Sequence, residues 1–143
     1  MAKSIKLDVI TPSKRFYSGD TELVIARTLL GDEGFMAGHS WACKLLDYGE
    51  LWIQEAGQKD FRVAAVSGGF VDVKDSIIIY TDAAEWSDEI DTDRCINIKE
   101  QAESWLCSEQ EHDPNEITKA QIAITKAIVR MNVAEGGHRR KRP

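Results

Sequence analysis

Ala83-Ala84-Glu85-Trp86-Ser87-Asp88-Glu89-Ile90-Asp91-Thr92-Asp93-Arg94-Cys95 divides this chain of 143 residues into two halves with different periodicity. Before it, apolar residues alternate and glycines punctuate, as in strands and turns. After it, apolar residues recur at three and four, and neither proline before Pro114 nor glycine before Gly136 interrupts them. The stretch itself is acidic, with Arg94 as its lone cation. A sheet domain and a helical segment are predicted to meet here.

Working back toward the N-terminus, Ser4 to Thr11 alternates with Ile5, Leu7 and Val9 on one face, the pattern of a half-buried antiparallel strand. Turns are predicted at Thr11-Pro12-Ser13 and Ser18-Gly19-Asp20, with strands at Lys14–Tyr17 and Thr21–Arg27. Gly31 to His39 reads as a glycine-punctuated loop. Further strands are expected at Ser40–Leu46, Gly49–Gln54, Asp60–Val66, Gly68–Lys74 and Ser76–Thr81, with hairpin tips at Ala56–Lys59 and Lys74-Asp75. Ser67-Gly68-Gly69 is a bulge or tight turn. Short strands at this spacing, with no helix between them, indicate a sandwich or barrel.

Working forward, Cys95, Ile98, Ala102, Trp105 and Leu106 share one helical stripe. Ile117, Ala120, Ile124, Ala127, Ile128 and Met131 share another. Asp91 or Thr92 caps the first helix, and Asp113, Pro114 and Glu116 form a start signal for the second. Ser108 to Glu111 connects the two. The predicted fold is therefore an antiparallel β-sandwich over 1–85, a two-helix hairpin over 86–135 and a basic, disordered tail over 136–143.

The net charge is -6 and the hydrophobic fraction 43%, as in a folded acidic protein. The charge is uneven. Acids dominate from Glu85 to Glu116, whereas Lys119, Lys126, Arg130, Arg139, Arg140, Lys141 and Arg142 face only Glu135. Such a basic pole seeks an acidic surface. One short basic run without interleaved aromatics is a poor nucleic-acid footprint, so no nucleic-acid partner is expected. The three cysteines, Cys43, Cys95 and Cys107, lack paired or metal-like spacing and read as reduced thiols. No apolar run approaches the ~20 residues that span a bilayer, so no direct membrane insertion is expected.

Catalytic chemistry is missing from the pattern. His39, His112 and His138 stand near no nucleophile in a recognisable frame, and no phosphate-binding loop occurs. His39 reads as a loop-ordering or interface residue. Trp41 and Trp52 read as core or sheet-interface residues, and Trp86 and Trp105 as packing anchors. The acids of the dividing stretch read as a solvated helix start rather than a metal site.

The order of parts resembles the epsilon subunit of the bacterial F-type ATP synthase, whose mitochondrial counterpart is called delta. Leu7-Asp8-Val9-Ile10-Thr11-Pro12, Tyr17-Ser18-Gly19, Gly34-Phe35-Met36-Ala37-Gly38-His39, Ala65 to Val73, Thr81 to Glu85 and Ile90-Asp91-Thr92-Asp93-Arg94 carry the likeness. Ala37 stands where proline is usual in that family, and Cys95 where alanine is.

The resemblance implies a non-catalytic rotor component, peripheral on the cytoplasmic face of the bacterial plasma membrane, within a proton- or sodium-translocating complex. Its partners are the gamma subunit, the c-ring and, when the hairpin extends, the alpha and beta subunits of the catalytic head. Extension inhibits ATP hydrolysis. Asp32, Met36 and His39 become the candidate contacts with the c-ring and gamma. Lys119, Lys126, Arg130, Arg139, Arg140 and Arg142 become the candidate inhibitory contacts with acidic loops. No cofactor is required. In some members ATP stabilises the folded hairpin, and the positions concerned correspond to Glu85, Ile90, Asp91, Arg94 and Arg130. Lys126 replaces one arginine there and Gln101 another. Lysine does not reproduce the guanidinium fork and glutamine brings no charge, so weak ATP binding at best is expected. From the residues alone, the alternative is a freestanding interaction module whose hairpin and basic tail bind an unrelated acidic protein.

Overall fold

The computed structural model describes residues 3–108, 111–136 and 139–140. The first half forms β1 (Ile5–Ile10), β2 (Arg15–Thr28), β3 (Gly31–Phe35), β4 (Ala42–Glu55), β5 (Phe61–Val73), β6 (Ile77–Tyr80) and β7 (Ala84–Trp86). A single turn of 3-10 helix, Ser87–Glu89, leads to α1 (Thr92–Leu106) and α2 (Pro114–Gly136), and β8 (Arg139–Arg140) follows. The strand order is β1-β6-β5-β4-β2-β3, and β1 also pairs with β2, so the sheet folds back on itself. Every pairing is antiparallel except β1 with β6, which is parallel. A β-sandwich with a C-terminal two-helix hairpin is thus the observed fold.

Long strands replace several of the short ones expected. β2 runs straight through Ser18-Gly19-Asp20, with Gly19 opposite Leu7. The glycine is there for space, because a Cβ at Gly19 would lie 2.8 Å from the Tyr17 hydroxyl. β4 likewise runs through Asp47-Tyr48-Gly49 in unbroken register with β5, and a Cβ at Gly49 would meet the Arg27 side chain at 2.7 Å. The first five residues of the expected Gly31–His39 loop are strand β3. The turn before it is Leu29-Leu30, where the Thr28 hydroxyl donates to the Gly31 carbonyl at 2.8 Å.

β5 also continues through its glycines. Gly68 and Gly69 have φ of 76° and 108°, in the region L-residues avoid. A Cβ at Gly69 would fall 1.8 Å from the Tyr80 carbonyl oxygen. The pair is a kink within a strand, not a reversal.

Two cores result. Leu7, Val9, Val24, Phe35, Leu51, Ile53, Val71, Val73, Ile77 and Ile79 fill the sandwich. Val63, Ala65, Ile90, Cys95, Ala127 and Val133 form a second core outside it, with Trp52, Val129 and Met131 packed against it. α2 lies across the outer faces of β4 and β5, and α1 lies on α2. The hairpin is folded down onto the sandwich. Ile128, expected on the packing stripe, is exposed instead, and Val133 takes a buried place. Asp91 caps α1, accepting a hydrogen bond from the Arg94 amide at 3.1 Å. Asp113 accepts one from the Asn115 amide at the start of α2. Of the tail expected to be disordered, Arg139 and Arg140 pair with Arg62 and Phe61, along the β5 edge that β7 leaves uncovered, and residues 137, 138 and 141–143 lie outside the described residues.

Gly69→Ala is expected to cost on the order of 3–5 kcal/mol, since it adds both a steric clash and an avoided φ; urea unfolding monitored by circular dichroism measures this. A second expectation concerns alkaline pH. Burial above all, then the Glu55 carboxylate, pushes the Tyr17 hydroxyl up to about 12. The unfolded chain then loses this proton near the ordinary value of ~10, before the folded chain does. Stability held below pH ~10 therefore falls as pH rises toward about 12, and Tyr17→Phe should flatten that fall in pH-dependent urea midpoints.

Candidate functional site

The junction of hairpin and sandwich gathers most of the residues singled out in the dividing stretch. Glu85 sits on β7, opposite Ala65 of β5. Arg130 of α2 reaches it from above: Nη2 donates to Oε2 at 3.0 Å, and Nε stands 2.8 Å from Oε1 without hydrogen-bond alignment. The pair is largely covered, with side chains 30% and 24% exposed. One turn earlier on the same helix face, Lys126 Nζ lies 5.1 Å from the centre of the Tyr48 ring, a cation–π contact of modest strength. Tyr48 is on β4 and Glu85 on β7, with β5 between them. The two cations therefore pin α2 on both sides of β5.

Ile90 closes the second core, and Asp91 is committed to its cap. Arg94 and Gln101 are exposed. Of the candidate nucleotide residues, Glu85 and Arg130 are in contact, Lys126 is one helical turn away, and Arg94 points its charge to solvent. Cys95 is fully buried beneath this group. Burial pushes its thiol up, Arg130 and Arg94 oppose this, and Glu85 and Asp91 add to it.

A clasp fixes the start of the junction. Trp86 stacks on Phe16, with ring centroids 4.5 Å apart. The Arg62 guanidinium lies 4.0 Å from the centre of the Trp86 ring. Trp86 is thus a packing anchor of the sandwich.

The lower loops split the other candidate set. Met36 and His39 share one turn, where the His39 amide donates to the Met36 carbonyl at 3.1 Å and the His39 ring meets Phe35 edge-on. His39 and the neighbouring Trp41 line a pocket with Lys74 and Asp75. Trp41 is 69% exposed, so it is not the core residue expected. Asp32 does not join them. It pairs with Arg27 at 3.7 Å and lines a cleft of about 480 Å³ beneath α2, with Tyr48, Trp52, Thr125 and Asn132.

A second surface went unread in the sequence. Leu45 of β4, Phe70 of β5 and Tyr80 of β6 are successive cross-strand partners. Phe70 and Tyr80 stack at 4.7 Å. The Leu29 amide donates to the Leu45 carbonyl, which extends the row to the β2–β3 turn. Leu29 and Leu45 are each 62% exposed, and Leu30 is 95% exposed. A contiguous exposed apolar row marks a partner surface more often than a bare one. The signal was available: Leu45, Phe70 and Tyr80 are apolar at outward positions of strands that otherwise alternate.

The basic candidates are scattered. Lys119 lies near the hairpin tip with Trp105 and Glu116. Arg139 and Arg140 are held by backbone pairing, and Arg142 lies outside the described residues. Among the described residues, no group of three His, Cys, Asp or Glu is placed to hold a metal ion. Among them, no helix is long and apolar enough to cross a membrane.

Residues 4–87 match the family model of the ATP synthase delta/epsilon chain β-sandwich domain, and residues 88–135 match that of its long α-helix domain. The chain belongs to the ATP synthase delta/epsilon family. The ATP synthase epsilon chain of Desulforamulus reducens is 39% identical, over 94% of this chain and 100% of its own length. That of Caldicellulosiruptor saccharolyticus is 34% identical, over 91% and 93%. Among solved structures, a chain of the Euglena gracilis mitochondrial ATP synthase (OSCP/F1/c-ring) superposes with a TM-score of 0.73 at 26% identity, over 85% of this chain and 76% of that one. A chain of the Tetrahymena thermophila central stalk and c-ring shares the fold, with a TM-score of 0.67 at 15% identity. The sandwich of a delta/epsilon chain and its helix domain thus meet within the stretch that first divided the sequence.

Cys95, on α1 of the delta/epsilon helix domain, is buried in the second core with Val63 and Ala65 of the sandwich, which gives a direct check. Cys43 and Cys107 are exposed and should react with a thiol reagent near neutral pH, with Cys95 at least about a hundredfold slower. Mass spectrometry of the partially labelled native chain measures this; equal rates would mean that the hairpin is not held down.

Proposed function

We propose that this chain is a non-catalytic rotor subunit of the central stalk, docked on the gamma subunit and the c-ring, whose hairpin extends toward the alpha and beta subunits to restrain ATP hydrolysis. The observation that carries the reading is the division of the outer surface. The row of Leu29, Leu45, Phe70 and Tyr80 is open while the hairpin covers a different part of the sheet, over Val63 and Ala65. One surface is available for permanent docking, and another is covered by a segment that can leave. The apolar row suits the gamma subunit, and Met36, His39 and Trp41 at the lower loops suit the polar loops of the c-ring. Asp32, paired with Arg27 under α2, is the weakest of the ring-contact candidates.

When the hairpin extends, Lys119, Lys126 and Arg130, with the basic tail, face acidic loops of the catalytic head. The complex sits at the cytoplasmic face of the bacterial membrane and moves protons or sodium ions. The subunit needs no cofactor, and ATP acts on it as a weak regulatory ligand.

Two measurements test this. Leu45→Asp with Phe70→Asp places charges in the apolar row without touching either core, and should weaken binding to the gamma subunit about a hundredfold in a pull-down or interferometry assay. Unchanged affinity would remove the docking surface. Separately, deleting residues 88–143 should raise the hydrolysis rate of the reconstituted enzyme, and an unaltered rate would remove the regulatory role.

A further inference from the structure

The apolar contribution to holding α2 down is small in side-chain size. The fully buried contacts are between small side chains, Ala127 and Val133 on the helix with Val63 and Ala65 on the sheet, while the larger Trp52 and Met131 are only partly buried against them, and small side chains bury little area. Charge does correspondingly more. Arg130 makes its two-point contact with Glu85, and Lys126 lies over Tyr48. Asp91 is occupied with the Arg94 amide. Of the cations that could grip a phosphate here, Arg130 and Lys126 are already engaged by the chain while the Arg94 side chain is exposed, and the strongest grip is that of Arg130 on a carboxylate of the sandwich itself.

We propose that Glu85 is a built-in anion for Arg130, an ionic latch that keeps the hairpin folded on the sandwich without any nucleotide. A phosphate reaching Arg130 must first displace Glu85. One charge-assisted pair is then exchanged for another, with little net gain. The folded arrangement is held from within and responds weakly to ATP. Because the pair is partly exposed, added salt screens it and loosens the hairpin. The link from release to inhibition rests on the proposed function; the latch itself is a property of the isolated chain.

Hydrogen exchange of the isolated full-length chain tests it. At low salt, Glu85→Gln and Arg130→Gln should each speed exchange of the α2 amides about tenfold, while those of β1 and β6 are unchanged. The double variant Glu85→Arg with Arg130→Glu should return exchange to the wild-type rate. Millimolar ATP should slow α2 exchange by less than about twofold in the wild-type chain and by more in Glu85→Gln, whose Arg130 is free. Wild-type exchange in the single variants, or no recovery in the charge swap, would overturn the latch. So would stronger ATP protection in the wild-type chain than in Glu85→Gln, since Glu85 would then belong to the nucleotide site instead. Hydrolysis by enzyme reconstituted with Glu85→Gln is read separately. Faster exchange without stronger inhibition leaves the latch standing and removes the inhibitory role of the hairpin.

Discussion

The first half of β5 is buried on both faces, and the rest of the molecule is arranged around that fact. Ala64 and Val66 point into the sandwich, and Val63 and Ala65 point outward into the second core. An apolar outer face on a half-exposed strand must be covered. The cover is α2, and small side chains at Val63 and Ala65 let the helix come close. β4 pairs along one edge of this segment and β7 along the other, so the helix rests on a platform of three strands. Beyond Gly68 and Gly69 the same strand changes character: Val71 and Val73 still face the core, but Phe70 is left open. The glycine kink is the border between sheet that the hairpin covers and sheet that stays open.

Adhesion of the helix layer is accordingly balanced. It combines modest apolar burial, a cation over an aromatic ring and one largely covered ion pair. Partly covered pairs contribute less than fully buried area of the same extent, because desolvation offsets their attraction. The sandwich core, with its many fully buried branched side chains, has no such balance. The Trp86 clasp belongs to the stable side, since Phe16 and Arg62 hold it to the sandwich. Stability is therefore graded along the chain, and the grade changes between Trp86 and Ile90.

The class of fold was legible because period changes sharply at the dividing stretch, and caps such as Asp91 and Asp113 act within three residues of their targets. Strand lengths were not legible at Gly19 and Gly49, because a glycine placed for close approach looks in sequence like one placed for a turn. The unbroken apolar run Val63-Ala64-Ala65-Val66 carries the sign of a doubly covered strand, but nothing local in it names the helix that covers the outer face. Ile128 and Val133 exchanged roles because α2 faces both α1 and the sheet, so its apolar surface is broader than one stripe. Trp41 was misread since size suggests burial, whereas its loop leaves it open. Contact between Glu85 and Arg130 spans 45 positions, and nothing in the local pattern joins them; only the family resemblance put them in one set. How Asp32 parts from Met36 and His39 follows from β3, which is strand where a loop was expected.

The helix nearest the dividing stretch in sequence is the outer one, and the helix farther away lies on the sheet. As the chain is synthesised, α1 emerges before the surface it will rest on. The outer face over Val63, Ala65 and Trp52 stays bare until α2 has emerged and folded back. The sandwich can mature early, but the hairpin can be laid down only in reverse order, inner layer last made and first seated. A chaperone or partner arriving in that interval would meet an uncovered apolar platform, which makes the timing of assembly as much a property of this fold as its final shape.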